Sequence, residues 1–288
     1  MISQKSYSVS SEELFQFQGP NHSKLSARHW RNENARGTLI GVHGYSEHSG
    51  CYSHFADFLL SKGLDIVWID LPGHGLSEGK RSDIDDFEDY IRSLELCIDE
   101  ASKRGCRGPF FLFGHSLGGL ISIRFLETSR KAALFNRLVL SSPFLGISGY
   151  SRTRLYLLKL LTAALPNFTL PAEGNLTGSS LTHDEKIIAR RAADPLIKSC
   201  VTIHFLREFL KARNFAFEQS KNIKIPIAIF QAGDDKITQR SEAEIFYSQL
   251  EGSKELKIYE GFYHEILNEI NRALVMDDMW KWIEPGLK

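Results

Sequence analysis

Five consecutive residues, Gly114-His115-Ser116-Leu117-Gly118, constrain this chain more than any others. They follow the apolar run Phe110-Phe111-Leu112-Phe113 and lead through Gly119 into a segment carrying Leu120, Ile121, Ile123 and Phe125. A short aromatic run that stops at glycine reads as a buried strand, and the longer segment after it as a helix. Ser116 therefore stands at the apex of a sharp strand-to-helix turn. Such a turn projects the hydroxyl above a sheet, where it can act as a nucleophile. A side chain at Gly114 or Gly118 would collide with the neighbouring strand or helix. Two glycines and a serine at this spacing arise by chance in roughly one chain of this length in ten. The flanking strand and helix carry the inference, not the spacing alone.

The rest of the chain alternates in the same way. Apolar runs at 38–43, 66–70, 110–113, 137–141, 227–231 and 254–259 read as buried strands. Helical patterns lie between them at about 87–101, 117–128, 241–249 and 266–283. The first is the clearest, with Phe87, Tyr90, Ile91, Leu94, Cys97, Ile98 and Ala101 on one face. This alternation predicts an α/β fold with a mostly parallel central sheet and helices on both faces. Residues 14–18 and 25–30 are expected to form an antiparallel hairpin at its edge. The interval from Gly146 to Lys221 breaks the rhythm. It holds no clear strand, yet a structureless loop of that length is implausible in a compact domain. Helical patterns at Leu155–Leu165 and Ser199–Leu210 make it a helical cap, or lid, at 146–221. The core is then 1–145 and 222–288.

A serine hydroxyl needs a base, and the base needs an acid to orient it. In sites of this kind both follow the serine along the chain. Of the ten histidines, His183, His204 and His264 come after Ser116. The first two fall in the cap. His264 lies between the last strand run and the last helix, where such sheets build their sites, and is taken as the general base. The acid should follow the strand at 227–231, where Asp234 and Asp235 are candidates. Asp235 is preferred, because a helix-bound pattern resumes directly after it. Two backbone N–H groups must bind the oxyanion of a tetrahedral intermediate. One is assigned to Leu117. The other is assigned to Tyr45, in the loop His43-Gly44-Tyr45-Ser46-Glu47-His48. The spacing of His43, His48 and His54 is not that of a zinc motif, so no metal is expected. The turn Asp70-Leu71-Pro72-Gly73-His74-Gly75 lacks a phosphate-loop pattern and reads as scaffold.

Composition excludes several other classes. Lys and Arg number 35 against 35 Asp and Glu, so no basic field exists to hold nucleic acid. The 42% hydrophobic content excludes intrinsic disorder. The four cysteines form no framework and read as reduced thiols of a cytoplasmic protein. No apolar stretch reaches the length of a membrane span, and Met1–Ser11 lacks the apolar core of a signal peptide.

Taken together, His43-Gly44, the LPGHGLSEG turn, GHSLGG and the GFYHE loop resemble the monoacylglycerol lipase and lysophospholipase branch of the α/β-hydrolases. The resemblance runs from about Arg36 to Trp282 and includes cap segments at 165–170, 181–185 and 194–196. Asp235 matches the family's acid position, and Glu47-His48 matches the pair that follows its His-Gly. The resemblance implies an α/β-hydrolase fold and a serine carboxylic-ester hydrolase without cofactor. Its substrate class would be a single-chain lipid ester, a monoacylglycerol or lysophospholipid. Short esters, and the aminopeptide substrates of related serine aminopeptidases, are the alternatives. An aminopeptidase needs an acidic anchor, for which Glu173 and Glu185 are available. Leu155, Leu158 and Leu161 of the apolar cap segment are expected to wall an acyl tunnel. That segment, flanked by Arg152, Arg154 and Lys159, could touch a membrane surface. Arg190 and Arg191 are either a solvated face or a phosphate site.

Overall fold

The computed structural model describes residues 12–81, 83–149, 153, 169–171, 178–198 and 200–288. The strands are β1 (Glu12–Gln18), β2 (Lys24–Trp30), β3 (Thr38–Val42), β4 (Asp65–Ile69), β5 (Phe110–His115), β6 (Phe135–Ser141), β7 (Thr169–Pro171), β8 (Cys200–Thr202), β9 (Ile227–Ala232) and β10 (Lys254–Tyr259). The α-helices among the described residues are α1 (Ser53–Ser61), α2 (Glu88–Lys103), α3 (Leu117–Thr128), α4 (Gly178–Leu181), α5 (Glu185–Ala193), α6 (Ile203–Gln219), α7 (Arg240–Gln249) and α8 (Arg272–Ile283). Eight strands form one sheet in the order β1-β2-β4-β3-β5-β6-β9-β10. The hairpin β1-β2 is antiparallel and pairs antiparallel with β4, while all pairings from β4 to β10 are parallel. This is the expected α/β-hydrolase sheet, with the hairpin at its edge.

Alternation along the strands divides the interior in two. Ile40, Val67, Leu112 and Ile229 face a core shared with α2, α3 and α7. Leu39, Trp68, Phe111, Phe113 and Phe230 face the opposite way, onto α1 and α8. The second layer is aromatic, and Tyr52 stacks on Trp68 with ring centroids 4.3 Å apart. The seven apolar residues picked out on α2 are all buried. Chain order explains why helices cover both faces. β4 follows β3 on one side, and β5 then returns to β3's other side. The strand order thus reverses at β3, and a crevice opens beyond the carboxyl ends of β3 and β5.

Two local expectations are revised, and one helix, α1, was not anticipated. The helix expected from 199 begins only at Ile203, because Cys200–Thr202 pairs as β8 with β7. The Thr202 side chain then caps the helix by accepting the Phe205 N–H. The helix expected from 266 is a short turn at Ile266–Asn268 and then α8, since Glu269 leaves helical geometry with ψ 161°. α1 has only Phe55, Ala56 and Leu59 buried and left no clear periodic signal. The described residues between β6 and β9 add no strand to the large sheet. α6 runs back along α3, with Phe209 stacked on Phe144 at 4.1 Å and Arg213 donating to the Leu145 carbonyl at 2.6 Å. The expected helix at Leu155–Leu165 lies outside the described residues.

Close backbone contact fixes the position of α3. A Cβ on Gly118 would lie 2.2 Å from the Val42 carbonyl oxygen, and one on Gly114 2.4 Å from that of Gly118. Both obstacles are main chain and cannot rotate away. Gly118→Ala should therefore destabilise the protein by roughly 3 kcal/mol or more, at the upper end of overpacking costs. Denaturant unfolding measures this; a stability equal to wild type would show that β3 and α3 are not in contact there.

Candidate active site

Ser116 stands between β5 and α3 with φ 50° and ψ −114°, a conformation unfavourable for any residue with a Cβ. The backbone anchors it: its N–H donates to the Ser141 carbonyl at 3.0 Å, and its carbonyl accepts from Gly119 and Phe144. Leu117 is the first residue of α3, a position whose N–H has no partner within the helix.

The loop after β10 carries His264 and the loop after β9 carries Asp235. Nδ1 of His264 lies 2.8 Å from Oδ2 of Asp235. Both side chains are buried, at 4% and 0% exposure. Asp235 also accepts from the N–H groups of Ile237 and Thr238 at 2.8 Å, the Thr238 hydroxyl at 2.7 Å and the Gln231 amide at 3.1 Å. Burial pushes its pKa up, but the imidazole and the Thr238 donors outweigh that and hold it below the usual carboxylate value. Asp234 is exposed and contributes a backbone bond to Phe262. Of the two neighbours, Asp235 is the one brought to the histidine. Ser116 and His264 line the same cavity.

The loop after β3 is built around a fixed tautomer. His43 Nε2 accepts the Leu71 N–H at 2.9 Å, so the ring proton is on Nδ1, 2.7 Å from the Gly44 carbonyl. Burial holds the ring neutral by lowering its pKa. The turn that supplies Leu71 is scaffold, as its sequence suggests. Asp70 accepts from the N–H groups of Ser49 and Leu76, bracing the start of α1's segment against it. Tyr45 is 9% exposed and its ring packs on Phe205 at 4.5 Å, with its hydroxyl donating to the Cys200 carbonyl at 2.6 Å. Beneath the site, Glu47 accepts from Tyr52 and lies 3.4 Å from His115 Nε2. Burial opposes the charge of Glu47, but His115 and then Arg191 overcome it and keep the carboxylate ionised.

Several of these contacts were not legible in the sequence. Arg191 of α5 is neither solvated nor free for a phosphate. It donates to Glu265 at 3.1 Å and to the Ser46 carbonyl at 2.9 Å. His48 reaches Asp194 at 2.9 Å. His183 pairs with Glu269 at 2.8 Å and His204 with Asp83 at 3.3 Å, so both hold structure together. Leu155, Leu158, Leu161, Arg152, Arg154 and Glu173 lie outside the described residues. One cluster of metal-binding residue types occurs among the described residues, His29, Asp65 and Cys106. There the imidazole at 2.9 Å and the thiol at 3.3 Å both donate to the Asp65 carboxylate. Their bonds tie β2, β4 and the turn before β5 together at the end of the sheet away from Ser116.

A family model described as serine aminopeptidase S33 matches residues 33–271. The chain belongs to this family of α/β-hydrolases. Phospholipase YtpA of Bacillus subtilis is 31% identical, covering 84% of this chain and 93% of its own. The monoglyceride lipase of Mus musculus is 31% identical over 90% of this chain and 86% of its own. The crystal structure of the monoacylglycerol lipase of Paleococcus ferrophilus superposes with a TM-score of 0.77 at 25% identity, over 96% of this chain and 99% of that one. These relatives place the family member in the monoacylglycerol lipase and lysophospholipase branch, and it is a hydrolase of the carboxylic-ester type. No helix among its described residues is long and apolar enough to cross a membrane.

The depressed pKa of Asp235 has a measurable consequence. A carboxyl whose folded value lies below its unfolded value stabilises the fold above the unfolded pKa and loses that contribution as pH falls through the folded one. The stability gap between wild type and Asp235→Asn should therefore shrink as pH falls below the ordinary 3.8. Asp234→Asn should show no comparable gap. Urea unfolding across the acid range checks this, and a gap that widens on acidification contradicts the assignment.

Proposed function

We propose that this hydrolase releases a fatty acid from a single-chain lipid ester through an acyl-enzyme on Ser116. The observation that carries the proposal is one cavity, of about 510 Å³ including its open mouth, that holds Ser116 and His264 among largely apolar side chains. Phe144, Leu181, Val201, Phe205, Leu206 and Ile237 supply that apolar lining, and Tyr45, Glu47, Arg191 and Glu265 also reach it. An acyl chain suits such a lining. Five of these residues, Leu181, Arg191, Val201, Phe205 and Leu206, come from 146–221, which supports reading that interval as a cap.

In this reading His264 takes the Ser116 proton as the hydroxyl attacks the acyl carbonyl. Asp235 holds the imidazole in the tautomer with Nδ1 protonated and stabilises the imidazolium. The Leu117 and Tyr45 N–H groups bind the oxyanion. His264 returns the proton to the leaving alcohol, water attacks the acyl-enzyme, and the fatty acid departs. No step draws on a metal or an organic cofactor.

Charge favours a neutral head group. The guanidinium that reaches the cavity, that of Arg191, is committed to Glu265 and the Ser46 carbonyl. A phosphate entering there would lose its water without gaining that cation as a partner. Monoacylglycerol, the substrate class in the mouse relative's name, fits better than the phospholipid in YtpA's. An ammonium anchor for peptides is also poorly supplied, because Glu47 is held by Tyr52 and His115 and Glu265 by Arg191 and Asn268.

Ser116→Ala and His264→Ala should each lower kcat by about 10⁴-fold or more, with the double variant little worse, because such residues act as a unit. Wild-type turnover in either single variant overturns the mechanism. Across monoacyl esters, each CH2 buried contributes about 0.8 kcal/mol, or roughly fourfold in kcat/KM, until the cavity is full. Monoacylglycerols should exceed lysophosphatidylcholine and aminoacyl-naphthylamides of matched size. A fall in kcat/KM with chain length would point to a small-ester hydrolase, and a preference for lysophosphatidylcholine would overturn the charge argument.

A further inference from the structure

Arg191 stands where three segments meet. It extends from the last turn of α5, and its side chain is 10% exposed. Nη1 binds Glu265, the residue after His264, and Nη2 binds the carbonyl of Ser46, the residue after Tyr45. One planar group thus touches both the loop of the general base and the loop of the oxyanion donor.

The surrounding bonds show that this junction is built rather than incidental. Glu265 is also held by the Asn268 amide at 2.8 Å, and its N–H donates to the Leu181 carbonyl at 2.9 Å. Ser46 has φ 58°, and its hydroxyl donates to the Lys198 carbonyl. Burial works against the charge of Arg191, and Glu265 and then Glu47 outweigh it. Without the guanidinium, the buried Glu265 carboxylate would keep the Asn268 amide but lose its ion partner, and a buried charge that loses its partner pulls its segment out of place. Lysine supplies one charge but not two diverging N–H groups in a fixed plane.

We propose that Arg191 is a positioning residue that registers the His264 loop against the Tyr45 loop, so that the segment between β6 and β9 completes the catalytic geometry as well as covering it. This rests on the Ser116-His264 reading above. Arg191 acts through its neighbours and takes no part in bond making. Its contribution therefore belongs to the transition state, where base and oxyanion donors must be aligned together.

The test compares wild type, Arg191→Ala, Arg191→Lys and Ser116→Ala on p-nitrophenyl butyrate and on a monoacylglycerol, each checked for thermal unfolding. Arg191→Ala should lose on the order of 100-fold in kcat with KM little changed. Added guanidinium at sub-denaturing concentration should restore part of that loss, and ammonium should not. Arg191→Lys should keep the fold and still lose most of kcat. Turnover of Arg191→Ala within about threefold of wild type overturns the proposal, as does a folded variant that guanidinium cannot rescue or that ammonium rescues equally. If Arg191→Ala does not fold, wild-type kcat in Arg191→Lys overturns it. Should Ser116→Ala retain turnover, the catalytic reading fails and this role falls with it. A dead Ser116→Ala beside a fully active Arg191→Ala removes only the present inference.

Discussion

The backbone of α3 presses against the carboxyl end of β3, and the geometry around Ser116 depends on that contact. With the Val42 carbonyl 2.2 Å from where a Gly118 Cβ would stand, only glycine permits the approach. The chain must then turn through φ 50° at Ser116 to pass from β5 into the helix. That strain persists because the surroundings over-determine it: Ser141, Gly119 and Phe144 all bond the Ser116 backbone. The same contact sets the first turn of α3 beside the loop after β3, so Ser116 and the His-Gly loop share one mounting.

Around that mounting lies a buried polar layer whose members bond one another. Asp235 takes five donors, Glu47 takes Tyr52 and pairs with His115, and His43 is locked between Leu71 and Gly44. His115 lies 4.9 Å from His264, ring to ring, so His264 rests on a second imidazole whose pKa Glu47 raises against the cost of burial. In a dry interior such a layer is rigid when complete and costly when broken. Its connections extend into α5 and the segment up to β8 through Arg191, Asp194, Lys198 and Cys200.

What could be read from the sequence follows from the range of the interactions involved. β3, β4, β5 and β9 are buried along their whole length, so each shows as an apolar run, whereas the edge strand β10 is fully buried only at Tyr259. The elbow shows because a steric rule leaves glycine at 114 and 118. Asp235 and His264 follow from chain order and from the ends of β9 and β10. The role of Arg191 left no local trace, since its partners are 145 and 74 residues away and a run such as Ala189-Arg190-Arg191 also suits a solvated face. β8 was hidden for the same reason, its partner β7 being some thirty residues earlier in an otherwise helical pattern. α1 offered only three buried positions in nine residues, too few to establish a period.

The interval between β6 and β9 departs from and returns to neighbouring strands. Ser141, the last residue of β6, pairs in register with Phe230 in β9, and the excursion returns at Ile227 beside Leu138, so its ends are held by adjacent strands. Lengthening such an excursion adds little closure entropy, about 0.6 kcal/mol for each doubling. The sheet hardly registers what happens there, whereas one wall of the cavity is made of it. Drift in this stretch can therefore exchange one ester for another while the strands, the elbow and the folding route stay as they are. Within the stretch, residues 191–200 are the exception. Their bonds to the loops of Tyr45 and His264 oblige any successor to preserve the docking even as the rest diverges.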